Sequence, residues 1–250
     1  MRPIVALIAL FFATSLTPAM AQDGPRLSLA AVQASKEFKA YMDKTAAAKG
    51  QLELSVPPAS GPFAKIFDTK SLQALPPSTG PDLAWLSEWL GVAATSYVGI
   101  VNFGADPKGE ALQQAVLNNV ERYEDELATA MNFLLRLMPR VAVSATAFMQ
   151  KLPEKDRNAP VRQQGVAQIR SGYLQTVSGA ITFISGGPKA QNSQLVSIAL
   201  RDTVGEWSKL ATSDERTTLL TLLAQARTGA KDAQVEDSLL AVSTAVAAVK

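Results

Sequence analysis

DPKGEALQQAVLNNVERYEDELATAMNFLLRLMPRVAVSATAFMQKL, residues 106–152, carries the pattern that decides the fold. Val116, Val120, Tyr123, Leu127, Ala130, Leu134 and Leu137 recur at alternating intervals of four and three, the seam of a coiled-coil-like helix pair. Asp106 and Pro107 offer a cap and a proline at the first helical position, and Pro153 ends the run. Pro139 cannot donate to the Leu135 carbonyl, so the spacing predicts a kink or a restart there. The rest of the chain has the same helical period, and no run alternates as a strand would.

Toward the C-terminus, two helices are expected from Pro160 to Ile184 and from Pro188 to Leu210, parted by Gly186-Gly187. Thr212-Ser213-Asp214-Glu215 has the form of a capping box, so a further helix runs from Ser213 to Arg227 and stops at Gly229. Asp232 caps the last one.

Toward the N-terminus, Leu83–Ala105 holds a single charge, Glu88, with Trp85 and Trp89 one turn apart. A helix apolar on all sides belongs in the middle of a helical assembly. Ser87, Gly91, Thr95 and Gly99 would let a neighbour approach closely. Six of the 14 prolines fall in residues 51–81, a long connection pinned by Phe63, Ile66, Phe67 and Leu72, which are too apolar to leave in water. Before it, a helix runs from a Ser28 cap to Lys49, ahead of Gly50.

The first 21 residues have the form of an export signal: Arg2, an apolar run from Ile4 to Leu16, and the small-residue pattern Ala19-Met20-Ala21, with cleavage between Ala21 and Gln22. The apolar run is shorter than the roughly 20 residues that span a bilayer. The mature chain is therefore expected without a transmembrane span, in the periplasm or outside the cell. Four parts follow: the signal peptide at 1–21, an N-terminal helix at 22–50, the proline-rich connection at 51–81, and an antiparallel bundle of about five to seven helices at 82–250. The fold class is all-α.

Composition narrows the chemistry. The formal net charge is +2, or +1 once Arg2 is removed, with acids and bases interspersed. Phosphate-backbone binding needs a concentrated basic patch, so nucleic acid is not an expected partner. The chain contains no cysteine and no histidine. That removes lipid attachment on cysteine, disulfides, c-type haem, ordinary zinc sites, cysteine nucleophiles and the Ser-His-Asp triad. No calcium-loop or nucleotide-loop motif appears either, so neither cofactor nor metal is expected.

What remains are charges on faces that otherwise read as buried. Arg162 and Arg170 share a side with the stripe Val166, Ile169, Tyr173, Val177, Ala180 and Ile184, while Glu124 and Glu126 flank the Tyr123/Leu127 seam. Convergence of these groups between helices would make a pocket for an anionic or amphipathic small molecule. The structural alternative, edge arginines with buried stems paired to Glu124 and Glu126, is preferred. Arg136 and Arg140 bracket Pro139. Glu121, Glu124, Asp125 and Glu126 form an acidic turn that reads as a solvated face. Glu88, beside two tryptophans, is the one carboxylate that burial would activate toward hydrolysis.

These features lead first to a non-enzymatic interaction or scaffold protein of the cell envelope, partnered by another envelope protein or by itself. The inter-helix binding module comes second and a carboxylate-based hydrolase third.

Overall fold

The computed structural model describes residues 26–105 and 111–249. The signal sequence, its cleavage point and the Asp106-Pro107 cap lie outside the described residues. Among the described residues every regular element is helical and there is no strand, so the fold is all-α. The helices are α1 (Arg26–Ala47), α2 (Ser60–Ile66), α3 (Thr69–Ala74), α4 (Leu83–Val101), α5 (Ala111–Arg122), α6 (Glu124–Gln150), α7 (Glu154–Arg157), α8 (Pro160–Ser185), α9 (Ala190–Trp207), α10 (Ser213–Gly229) and α11 (Ala233–Ala247). A 3-10 turn, Gly80–Asp82, leads into α4.

Helix α6 is the hub. It packs against α3, the 3-10 turn and α4, and also against α8 and α9. Its buried side chains include the expected seam, Leu127, Ala130, Leu134 and Leu137, and also Ala128, Met131, Leu135 and Met138, which adjoin the seam on one side and widen the buried face. Beyond α6 the contacts close a ring, α8 on α9, α9 on α11, α11 on α10 and α10 on α8. On the other side α1 lies on α2 and α4.

The long helix is not continuous as the heptad spacing suggests. It breaks at Tyr123, whose φ of −106° and ψ of 29° leave the helical region. Tyr123 is buried, and its hydroxyl accepts the Leu52 N–H at 3.1 Å, a tertiary tie that fixes the break. Pro139, by contrast, lies inside α6 without ending it.

The proline-rich connection contains two short helices, α2 and α3, that periodicity did not indicate. Phe63, Ile66, Phe67 and Leu72 are all buried. Phe38, Phe63, Phe67, Phe133 and Trp89 form an unbroken chain of rings, with centroid separations of 6.2, 4.8, 5.8 and 5.1 Å in that order. Aromatic pairs at such spacings add to the burial of the rings themselves. Trp89 Nε1 donates to the Ile66 carbonyl at 2.8 Å, and the Arg140 guanidinium donates to the carbonyls of Leu75 and Pro76 at 3.0 and 2.7 Å. The connection is thereby fastened to both α4 and α6. A Cβ on Gly80 would lie 3.1 Å from the Phe148 backbone nitrogen, so glycine is what lets the 3-10 turn seat on α6.

Helix α4 is not enclosed on all sides. Leu86, Trp89, Leu90, Ala93 and Ile100 are buried, whereas Ala84, Glu88 and Thr95 are exposed. Apart from Glu88, its outer face is made of small or neutral residues, which do not need a partner to stay folded. Ser28 is likewise not a cap. It lies within α1, is buried, and donates to Glu88 at 2.8 Å.

Candidate functional site

The caps show how most polar groups are used. Thr212 and Glu215 form the expected capping box on α10, and Asp232 accepts the Gln234 and Val235 N–H groups at the start of α11. Asp82 does not cap α4 with its side chain. Instead it closes a box with Thr79 around the 3-10 turn and accepts from the Trp85 indole at 3.1 Å. Burial pushes the Asp82 carboxyl up, but the Thr79 hydroxyl and N–H, the Trp85 indole and the Arg140 charge together hold it below its usual range.

Arg170 closes the junction between α9 and α10. Its Nε donates to the Leu210 carbonyl at 2.6 Å and its terminal nitrogen pairs with Glu215. Arg216 donates to the Ala211 carbonyl at 2.7 Å, so two arginines hold one loop. Glu215 is lowered by the Thr212 N–H, opposed by burial, and lowered further by the Thr212 hydroxyl and by Arg170. Arg162 sits elsewhere, half-buried, with its guanidinium carbon 5.7 Å from the centre of the Phe148 ring, a cation–π contact.

Tyr173 is wholly buried between α8 and α9. The Thr203 hydroxyl beside it donates to the Ala199 carbonyl at 2.8 Å, and the phenol makes no hydrogen bond of normal geometry. Burial raises the Tyr173 phenol far above its ordinary value, the Thr203 hydroxyl works against that, and Glu206 adds to it. The arginine-lined stripe is only half a core face. Val177, Ala180 and Ile184 are buried, but Val166 is 39% exposed.

Glu124 and Asp125 face the start of α9, not the arginines. Glu124 accepts from the Lys189 N–H at 2.7 Å and from Asn192 Nδ2 at 2.6 Å. Asp125 pairs with Lys189 Nζ at 2.8 Å and accepts from Asn192 at 2.7 Å. The Lys189 ammonium, then Asn192, lower the Asp125 carboxyl against the opposing effect of burial, and Asp125 in turn raises Lys189. Glu126 is half-buried and has no hydrogen-bond or ion-pair partner among the described residues. Glu88, expected in an apolar pocket, is exposed and holds only Ser28.

Arg162, Arg170, Tyr173, Glu124, Glu126 and Glu88 are thus not brought together: Arg162, Arg170, Glu124 and Glu88 take separate partners, and Glu126 has none among the described residues. Sequence reasoning missed Lys189 and Asn192. The only signal for them in the sequence was Pro188, which marks a helix start. Arg136 was singled out for its place beside Pro139, but its role is a link to Asp202 on α9 at 2.8 Å.

Two shallow hollows open elsewhere. One of about 300 Å³ is lined by Lys49, Phe103, Asn119, Arg122 and Tyr123 among others, and its neighbour of about 340 Å³ by Asn118, Glu121 and Arg122. The ends of α1, α4 and α5 meet at the first, where their carbonyl termini are negative and Lys49 and Arg122 offset them. Asn119 donates to the Val101 and Phe103 carbonyls at 3.0 and 2.8 Å, which completes the α4 end. Among the described residues no three acids cluster as a metal site would need, and no helix is long and apolar enough to cross a membrane. The chain matches no family model, no curated protein and no solved structure.

Proposed function

We propose that this chain is an exported helical protein of the cell envelope, acting without catalysis as an interaction or scaffold protein. The observation that carries the reading is the fate of its ionisable groups. Arg170 and Glu215 close a loop, Glu124 and Asp125 hold the start of α9, Arg140 fastens the connection, and Glu88 stands in solvent. Catalysis needs an acid and a base converging on one cleft, and these groups are dispersed on structural duties. In the same reading the residues after Asp82 form an antiparallel helical bundle, with α8, α9, α11 and α10 as its four-helix part, and they present surfaces to another envelope protein or to a second copy.

Two measurements test this. Expression in a bacterial host with a functioning secretion pathway should give a periplasmic or extracellular protein whose intact mass begins at Gln22; a cytoplasmic chain that keeps residues 1–21 would overturn export. Crosslinking in intact cells, followed by mass spectrometry, should then give defined linkages from surface lysines to an envelope protein or to a second copy. A chain that stays uncrosslinked and monomeric would overturn the interaction role.

A further inference from the structure

Nothing local accounts for the break between α5 and α6. Helices kink at proline, at glycine and serine pairs, or where the ladder is interrupted from outside. Residues 120–126 contain no proline, glycine or serine, and the heptad seam runs through them, from Val116 and Val120 to Tyr123 and Leu127. The ladder reaches Tyr123 from both sides, its N–H donating to the Asn119 carbonyl at 2.9 Å and its carbonyl accepting from Leu127 at 2.8 Å. The bonds that would span it, from Glu124 to Val120 and from Glu126 to Arg122, are not made, and no side chain caps the start of α6. The local sequence prefers one helix, and tertiary contacts impose two.

Those contacts are few. Tyr123 accepts the Leu52 N–H, and Asn119 donates to the carbonyls of Val101 and Phe103. Val116 and Asn119 are the only buried side chains of α5 among the described residues, and Leu117 beside them is 40% exposed. Elements with so little buried surface lie at the low-stability end of a fold. Arg122 and Glu126 are in no ion pair among the described residues. One continuous helix would restore the two spanning bonds and set this arginine and glutamate at the i, i+4 spacing that pairs opposite charges. Glu121 and Asp125 would take the same spacing, but Lys189 already holds Asp125.

We propose that the α5–α6 junction is a two-position hinge. In the form described, the helix is broken at Tyr123 and α5 is latched onto the end of α4. On release, residues 111–150 form one helix, Arg122 pairs with Glu126, and α5 leaves α4 because it is the lightly held member. Three latch bonds and the burial of Val116 stand against two ladder bonds and one exposed pair, so the latched position predominates until the latch is loosened. Release uncovers Val116 together with the Val101 and Phe103 carbonyls. The inference concerns the chain's own shape and does not rest on export or on the scaffold role.

Spin-label distances test the proposal, and the chain has no cysteine of its own to interfere. The pair L117C/V143C uses positions 40% and 41% exposed, and a continuous helix sets them about 39 Å apart at about 1.5 Å per residue. The broken helix gives less. The pair T95C/L117C, whose first position is exposed on α4, reads the distance of α5 from that helix. The parent should show one distance for each pair. Adding Y123F and N119A, which remove the latch bonds, should bring in a second population near 39 Å for the first pair and a longer one for the second. Adding E126Q to that background should shrink both new populations about twofold, since Glu126 has a partner only in the straight form. Single distances unchanged by Y123F/N119A would overturn the proposal. So would broad distributions with a loss of helical circular dichroism, which would mean that α5 melts, or new populations that E126Q leaves as they are.

Discussion

The Trp89 indole donates its N–H to the Ile66 carbonyl at 2.8 Å, deep in the core, and so ties the most apolar helix to the proline-rich connection. The carbonyl belongs to the last residue of α2, where a helix leaves acceptors without intrahelical donors. One side chain thus supplies aromatic packing and end-capping together.

Replacing Trp89 by Phe keeps most of the ring and removes the donor. A buried acceptor left without its partner costs about 1–3 kcal/mol. Urea unfolding of W89F should show a loss in that range. A loss under about 0.5 kcal/mol would mean that the Ile66 carbonyl finds another donor.

Phe133 links the phenylalanines of the ring chain to Trp89, touching Phe67 at 5.8 Å and Trp89 at 5.1 Å. Phe133→Ala should cost about 3–5 kcal/mol, the upper range for a core aromatic. Leu117→Ala, at a position 40% exposed, should stay within about 0.5 kcal/mol when measured the same way.

The α9–α10 junction rests on Arg170 and Glu215, whose side chains are 33% and 39% exposed. A double-mutant cycle of R170M and E215Q should give a coupling near 0.5–1 kcal/mol, as solvent screens the pair. E215A alone should cost more than this coupling, because it also removes the oxygen that completes the Thr212 box.

Acid and alkali should act on different groups. Asp82, Asp125 and Glu215 are lowered on folding, so what they add is present above their unfolded values, 3.8 for the aspartates and 4.5 for Glu215. It is lost as pH falls through the folded ones. The melting temperature should therefore drop below about pH 4.5, and D125N and E215Q should flatten that drop. Tyr173 and Lys189 are raised, so what they add is present below their unfolded values, 10.0 and 10.5, and is lost as pH climbs through the folded ones. Y173F should make the protein less sensitive to alkali. An unchanged alkaline limb would show that the phenol reaches solvent before the fold opens.

What the sequence disclosed depends on how local each feature is. The Thr212/Glu215 box and the Asp232 cap were legible because a cap is written within four residues. The burial of Phe63, Ile66, Phe67 and Leu72 was legible from their cost in water. The break at Tyr123 was not, since the heptad spacing continues through it and the cause is Leu52, far away in sequence. Helix α4 misled for a different reason. Ala84, Gly91 and Thr95 add apolar or neutral character to a sequence average, yet they have too little side chain to require a neighbour, so its composition overstated its burial and that of Glu88. The arginines and carboxylates did not converge because helix periodicity gives a side chain's direction and not the group it meets. Arg162 points along the packing face, but what it meets there is the Phe148 ring of α6.

The ring chain has a consequence for the order in which the molecule can take shape. Phe38, Phe63, Phe67 and Trp89 all precede the residue that closes them, Phe133. A growing chain carries four large aromatics without their lid until α6 is complete. Nascent chains cut before α6 should be held by chaperones and degraded quickly, whereas those that extend past Gln150 should begin to resist protease over their first half.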